Sequence, residues 1–107
     1  MKKVLIICAA GMSSSLMAKK VTEFLKERGH DIEVEAVSVN EGGEKIKQDL
    51  FNLYLVSPQT KMYYKQLKQA GDRFEKPVVN IPPQAYAPIP MGIEKLGKLI
   101  LQELPNN

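Results

Sequence analysis

The sequence predicts a doubly wound α/β fold: a single four-stranded parallel sheet in the order 2-1-3-4, flanked by helices on both faces. Three observations predict it. The apolar runs Val4-Leu5-Ile6-Ile7 and Leu53-Tyr54-Leu55-Val56 have no polar alternation, as expected of strands buried on both faces. Ile32-Glu33-Val34-Glu35-Ala36 does alternate, which marks a strand with one face in water and so an edge of the sheet. Segments of helical period separate these runs, and strands alternating with helices build parallel sheets through right-handed crossovers.

The elements follow in order. After the first strand, Met17, Val21, Phe24 and Leu25 recur at helical spacing, Lys19, Lys20, Glu23, Lys26 and Glu27 fill the other face, and Gly29 stops the helix. Strand two covers residues 32–36. Residues 40–43 read as a turn, and residues 44–50 as a short helix with Ile46 and Leu50 one turn apart. Strand three, residues 53–56, ends at Ser57-Pro58 because proline cannot continue the ladder. A helix over residues 59–70 buries Tyr63, Leu67 and Ala70, exposes Lys61, Lys65 and Lys68, and is capped by Gly71. Residues 77–81 form strand four. Residues 82–91 hold four of the seven prolines, too many for regular structure, and Ile93, Leu96, Ile100 and Leu104 mark a last helix ending at Pro105.

Composition sets bounds on function. The 107 residues suffice for one domain, residues 1–107, and for a single core. With 44% hydrophobic and 25% charged residues, the chain is globular rather than disordered or fibrous. A lone cysteine excludes an internal disulfide framework and suits a reducing compartment, so the expected location is cytoplasmic. The apolar run behind Met1-Lys2-Lys3 is too short for a signal sequence, and no run reaches membrane-spanning length. The net charge of +3 is spread over lysines scattered among glutamates, and there is no tryptophan; this argues against a nucleic-acid partner.

Chemistry concentrates where the first strand ends. Cys8 closes that strand, and the side chains that follow, Ala9, Ala10, Gly11, Met12, Ser13, Ser14 and Ser15, are mostly small or hydroxylic. The serines are N-cap candidates, so residues 9–15 should aim free backbone N–H groups at one spot, and such a spot attracts anions. The nucleophilic form of a thiol is its anion. No acidic residue occurs in residues 1–22 to oppose a bound anion. A lone cysteine is more often a small buried hydrophobe, but the end of a strand beside the topological switch point is where open α/β sheets bind ligands. Three loops should meet there: residues 9–15, 57–60 and 82–91. Gly11 permits close backbone approach, the serine hydroxyls can donate to phosphate oxygens, and Met12 is either a core filler or a partner contact. Ser57, Pro58, Gln59 and Tyr86 border the site, although Gln59 reads first as a helix-start residue and Tyr86 as packing its own loop.

What is missing narrows the choice. The only histidine, His30, follows the first helix at the opposite end of the sheet, so no imidazole base serves Cys8. Neither a dinucleotide nor a nucleoside-triphosphate fingerprint is present. No acidic residues stand at strand ends for Mg²⁺-dependent aspartyl phosphorylation, so neither metal nor cofactor is expected. In size and topology the chain resembles the low-molecular-weight tyrosine phosphatases, which carry C-x-x-x-x-x-R after the first strand and an aspartic acid on a late loop. Here Ser14 stands at the arginine position, and residues 82–91 contain no acid.

Cys8-Ala9-Ala10-Gly11-Met12-Ser13-Ser14-Ser15, with Ser57-Pro58-Gln59 after strand three, strongly resembles the IIB component of the lactose/cellobiose type of the bacterial sugar phosphotransferase system. The resemblance covers essentially the whole chain, with Ser14 where threonine is common and an unusually proline-rich segment at residues 82–91. It implies a cytoplasmic phosphocarrier whose Cys8 takes a phosphoryl group from a histidine of the IIA component. The carrier then docks transiently on the membrane component IIC and passes the group to a sugar held there, with residues 9–15 holding the phosphate. Cellobiose, lactose and chitobiose-type β-glycosides all fit, and a monomer is expected in isolation. Two alternatives stand beside it: a cysteine-dependent phosphatase-like hydrolase, and an anion-binding module with an inert Cys8.

Overall fold

The computed structural model describes residues 1–9 and 13–105, with Ser13 described by its backbone alone. Strands β1 (Lys2–Cys8), β2 (Ile32–Ser38), β3 (Leu53–Val56) and β4 (Val78–Asn80) alternate with helices α1 (Ser13–Glu27), α2 (Val39–Gln48), α3 (Tyr64–Arg73) and α4 (Pro90–Glu103). The four strands form one sheet in the order β2-β1-β3-β4, every pair parallel, as the sequence predicts.

Side chains alternate across a strand, so the unbroken apolar run of β1 feeds two cores. Val4 and Ile6 join Met17, Val21 and Leu25 of α1 and Ile93, Leu96 and Ile100 of α4. Leu5 and Ile7 point the other way, into a cluster with Ile46 of α2, Tyr54 and Val56 of β3 and Leu67 of α3. Residues 4–7 of β1 are wholly buried. Each such side chain contributes roughly 1.5–3 kcal/mol of burial, so a polar residue anywhere in the run would weaken one core or the other. The two cores fix β1 centrally and leave its C-terminal residue, Cys8, at the rim.

Several boundaries differ from the sequence-based expectation. The expected turn at residues 40–43 is the first half of α2, because Gly42 packs flush on Ile7: a Cβ there would lie 2.9 Å from Ile7 Cγ2. The glycine pair that resembles a turn is an allowance for helix–sheet contact. That helix ends at Gln48, with Asp49 left-handed at φ 53°, so Leu50 is 59% exposed and Phe51 takes the buried place expected of it. The expected helix over residues 59–70 is split into a 3₁₀ segment, Pro58–Tyr63, and α3. This change of pitch rotates Tyr63 outward to 42% exposure, while Leu67 stays buried. Gly71 lies inside the last turn of α3, not at its cap, and Glu75 at φ 56° makes the left-handed exit.

Other expectations hold. Gly29, at φ 83°, follows the end of α1. The ladder of β4 continues past its ends, since the Tyr54 N–H donates to the Pro77 carbonyl and the Ile81 N–H to the Val56 carbonyl. The proline-rich segment departs from expectation: residues 82–91, expected to lack regular structure, contain a 3₁₀ turn, Pro83–Ala85, and Pro90 and Met91 open α4, where the missing proline N–H is not needed. No helix among the described residues is long and apolar enough to cross a membrane.

Candidate functional site

Cys8 is the last residue of β1, paired with Ser38 of β2 and one position beyond the β1–β3 register. Its thiol donates to the Val37 carbonyl at 3.2 Å, and the side chain is 4% exposed. The extension of β2 past Ala36, where the sequence places its end, supplies that carbonyl.

Ser14, in the first turn of α1, is buried. Tyr86, at the end of the 3₁₀ turn after β4, lies near enough to Ser14 and Cys8 for both to shift its phenol. Burial, then the negative charge that Cys8 can carry, push the Tyr86 phenol up to about 12; the Ser14 hydroxyl bond opposes this, and the Cys8 bond adds to it. At neutral pH Tyr86 is therefore a hydrogen-bond donor. The sequence reads Tyr86 first as packing its own loop; it packs against the core, and Cys8 and Ser14 are among the groups that shift its phenol.

The loop after β3 supports the site from beneath. The Ser57 N–H donates to the Ile7 carbonyl at 2.9 Å, and the buried Thr60 hydroxyl donates to the same carbonyl at 3.2 Å. The Ser57 hydroxyl bonds Thr60 at 3.0 Å, so Ser57 holds the backbone that ends in Cys8. Pro58 opens the 3₁₀ segment, and Gln59 is an exposed residue of its first turn, as a helix-start residue should be. Thr60 escaped the sequence reading, although hydroxyl residues three apart flanking a proline are a recurrent local bonding pattern. Of the expected phosphate-loop residues, Ala9 and Ser15 are exposed, while Ala10, Gly11, Met12 and the Ser13 side chain lie outside the described residues. His30 precedes β2, at the end of the sheet away from Cys8, as expected.

Fold and site together define a class: a doubly wound parallel α/β protein with a cysteine at the C-terminal end of its central first strand. The family model for the lactose/cellobiose-specific IIB subunit of the phosphotransferase system matches residues 3–98, and the chain belongs to that family. It is thus a IIB component of the lactose/cellobiose type, with the phosphotransferase role general to such components.

A relative from Bacillus subtilis (strain 168), the oligo-beta-mannoside-specific EIIB component of a phosphotransferase system, is 33% identical over 88 residues, covering 80% of this chain and 82% of that protein. Two solved structures share the fold. The lactose-specific IIB component domain from Streptococcus pneumoniae superposes with a TM-score of 0.82 at 19% identity, covering 95% of this chain and 96% of the other. The cellobiose-specific phosphotransferase IIB component from Borrelia burgdorferi gives 0.72 at 24% identity, covering 96% and 91%. None of these relations favours the phosphatase alternative.

Proposed function

We propose that Cys8 carries the phosphoryl group in this IIB component, taking it from a phosphohistidine of a IIA partner and giving it to a sugar hydroxyl held by a membrane IIC partner. In the first step the Cys8 sulfur attacks phosphorus, an S–P bond forms, the N–P bond breaks with its electron pair staying on the imidazole, and the thiol proton passes to that imidazole nitrogen. In the second the sugar oxygen forms the new O–P bond, the S–P pair returns to sulfur, and the hydroxyl proton passes to a base on the acceptor side. The sugar is of the β-linked disaccharide or oligosaccharide kind for which the relatives are named.

The observation that carries this reading is the neutral surroundings of Cys8. Among the described residues its thiol donates to the Val37 carbonyl, and the Tyr86 phenol, near enough for Cys8 to shift it, is uncharged at neutral pH. A phosphatase of this topology needs an arginine and an acid for turnover by water; Ser14 replaces the first, and residues 82–91 lack the second. A phosphoryl group here is held for a partner.

The surface supports delivery to partners. Leu16, Met62, Tyr63, Ile89 and Met91 are exposed, and each lies on a segment that follows the C-terminal end of a strand. Exposed apolar residues gathered about a reacting group mark a docking face, and methionine adapts to more than one partner. Because the sulfur is nearly covered in the free chain, the donor must uncover it as it docks. The test is the intact mass of the protein after incubation with phosphoenolpyruvate and the upstream relay proteins. One added phosphoryl group on the wild type and none on Cys8→Ser is the expected result; labelling of Cys8→Ser to the same extent would sink the cysteine mechanism.

A further inference from the structure

The register between β1 and β3 ends at Ile7 and Val56, and Pro58 has no N–H with which to extend it. Cys8 is paired on the other side, with Ser38 of β2, and its thiol donates to the Val37 carbonyl of that same strand. On the β3 side the last anchor before Cys8 is the Ile7 carbonyl, which accepts the Ser57 N–H at 2.9 Å and the Thr60 hydroxyl at 3.2 Å. A hydroxyl at a helix start ordinarily caps it by accepting from the N–H groups of the first turn. Ser57 makes no such cap; its hydroxyl bonds Thr60 instead, and the Thr60 hydroxyl leaves its own segment for a carbonyl 53 positions away. At Thr60 the backbone departs from helical geometry, with φ −116° and ψ 19°, so two short turns meet where the side chain faces β1. Both side chains are buried, and water cannot stand in for either.

We propose that Thr60, oriented by Ser57, is a positioning residue for phosphoryl transfer: by holding the Ile7 carbonyl it fixes the peptide that carries Cys8, and with it the line along which the sulfur meets phosphorus. This rests on Cys8 being the carrier. Attack in line with the breaking N–P bond tolerates little displacement of the sulfur, and a misplacement of about 1 Å costs on the order of 100-fold in rate. The pair replaces the ladder rung that Pro58 forfeits, so β3 can stop short and leave the end of β1 open to a partner without leaving Cys8 loose. Thr60 is buried beneath its segment, out of a partner's reach, and therefore acts on the transfer step and not on docking.

Thr60→Val keeps the shape and removes the donor, whereas Thr60→Ser keeps the donor. Single-turnover transfer from the phosphorylated IIA donor, followed over donor concentration, should show a saturating rate lower by about ten-fold or more in Thr60→Val. The concentration for half-maximal rate should be unchanged, and Thr60→Ser should run near the wild type. Ser57→Ala leaves Thr60 its hydrogen but loosens its direction, so its saturating rate should fall between the two. Ile100→Val, in the core shared by α1 and α4, is the control for lost stability: its melting temperature should drop while its saturating rate stays at the wild-type value. Equal saturating rates in Thr60→Val and Ile100→Val, or a Thr60→Ser variant as slow as Thr60→Val, would overturn the proposal while the carrier reading stood. Should Thr60→Val fail to fold, Ser57→Ala decides, and a wild-type saturating rate there would overturn it equally. A wild-type protein that takes up no phosphoryl group from a competent relay would overturn both.

Discussion

The Thr60 hydroxyl donates to the carbonyl of Ile7 at 3.2 Å, joining residues 53 positions apart and fixing the backbone immediately before Cys8. The same hydrogen is shared with the Ser57 carbonyl at 3.2 Å, and the Thr60 oxygen is bonded to the Ser57 hydroxyl. Both side chains are buried, so neither can turn to water for a substitute partner. Thr60→Val preserves shape and strands the Ser57 hydroxyl, which costs about 1–3 kcal/mol. Thermal unfolding should show a melting temperature lower by roughly 5–10 °C, and transfer to Cys8 should slow. An unchanged melting temperature would mean that this link contributes nothing.

Thr22 plays a comparable part at the other edge of the sheet. Its oxygen accepts the Val34 N–H at 3.0 Å, and its hydrogen goes to the Ala18 carbonyl at 2.7 Å, one turn back in α1. β2 is an edge strand, and an edge with open N–H groups invites pairing with another chain. Thr22→Val should cost about 1 kcal/mol and raise the tendency to self-associate. Denaturant titration and sedimentation velocity at rising concentration read the two effects; a variant as stable and as monodisperse as the wild type would refute the edge-guarding role.

The apolar rim makes a surface prediction. Leu16→Asp and Met91→Asp replace exposed side chains, the second 63% exposed, so stability should change by no more than about 0.5 kcal/mol. Transfer from the IIA donor should slow several-fold through weaker docking, seen as a raised concentration for half-maximal rate at unchanged saturating rate. If both variants dock like the wild type, partners approach by another face.

Alkaline titration tests the environment of the tyrosines. The Tyr86 phenol is raised above its ordinary value of 10.0 to about 12, chiefly by burial, and burial also raises Tyr54. Each folded phenol holds its proton more tightly than the unfolded one, so the stabilisation is fully present below about pH 10 and is lost as the pH rises through the folded values. The melting temperature should fall between about pH 10 and about pH 12, and fall less steeply in Tyr86→Phe. Identical slopes for the two proteins would place the Tyr86 hydroxyl in an ordinary aqueous setting.

The sheet order was legible because it rests on pattern. Unbroken apolar runs at residues 4–7 and 53–56 and alternation at residues 32–36 are local consequences of how many faces each strand buries, and the structure repeats them. The position of Cys8 at the end of β1 followed from the same run. The beginning of α2 was not legible, because Gly42 and Gly43 look like a turn until Ile7 is placed against the first of them. The split of the helix after Pro58, which turned Tyr63 outward, was equally hidden, since a change of helical pitch leaves little trace in the spacing of apolar residues.

The sequence by itself determined the class of fold and the family, which the match over residues 3–98 bears out, and pointed to Cys8 at the end of β1. Those properties are set by periodicity and by a short continuous motif. Only the tertiary structure decided what surrounds Cys8: the Val37 carbonyl that its thiol meets and, 78 positions along the chain, the Tyr86 phenol that it shifts. Such contacts depend on where a proline-framed loop ends up once two cores have closed around β1, and hydrogen bonds between distant segments leave no period to read.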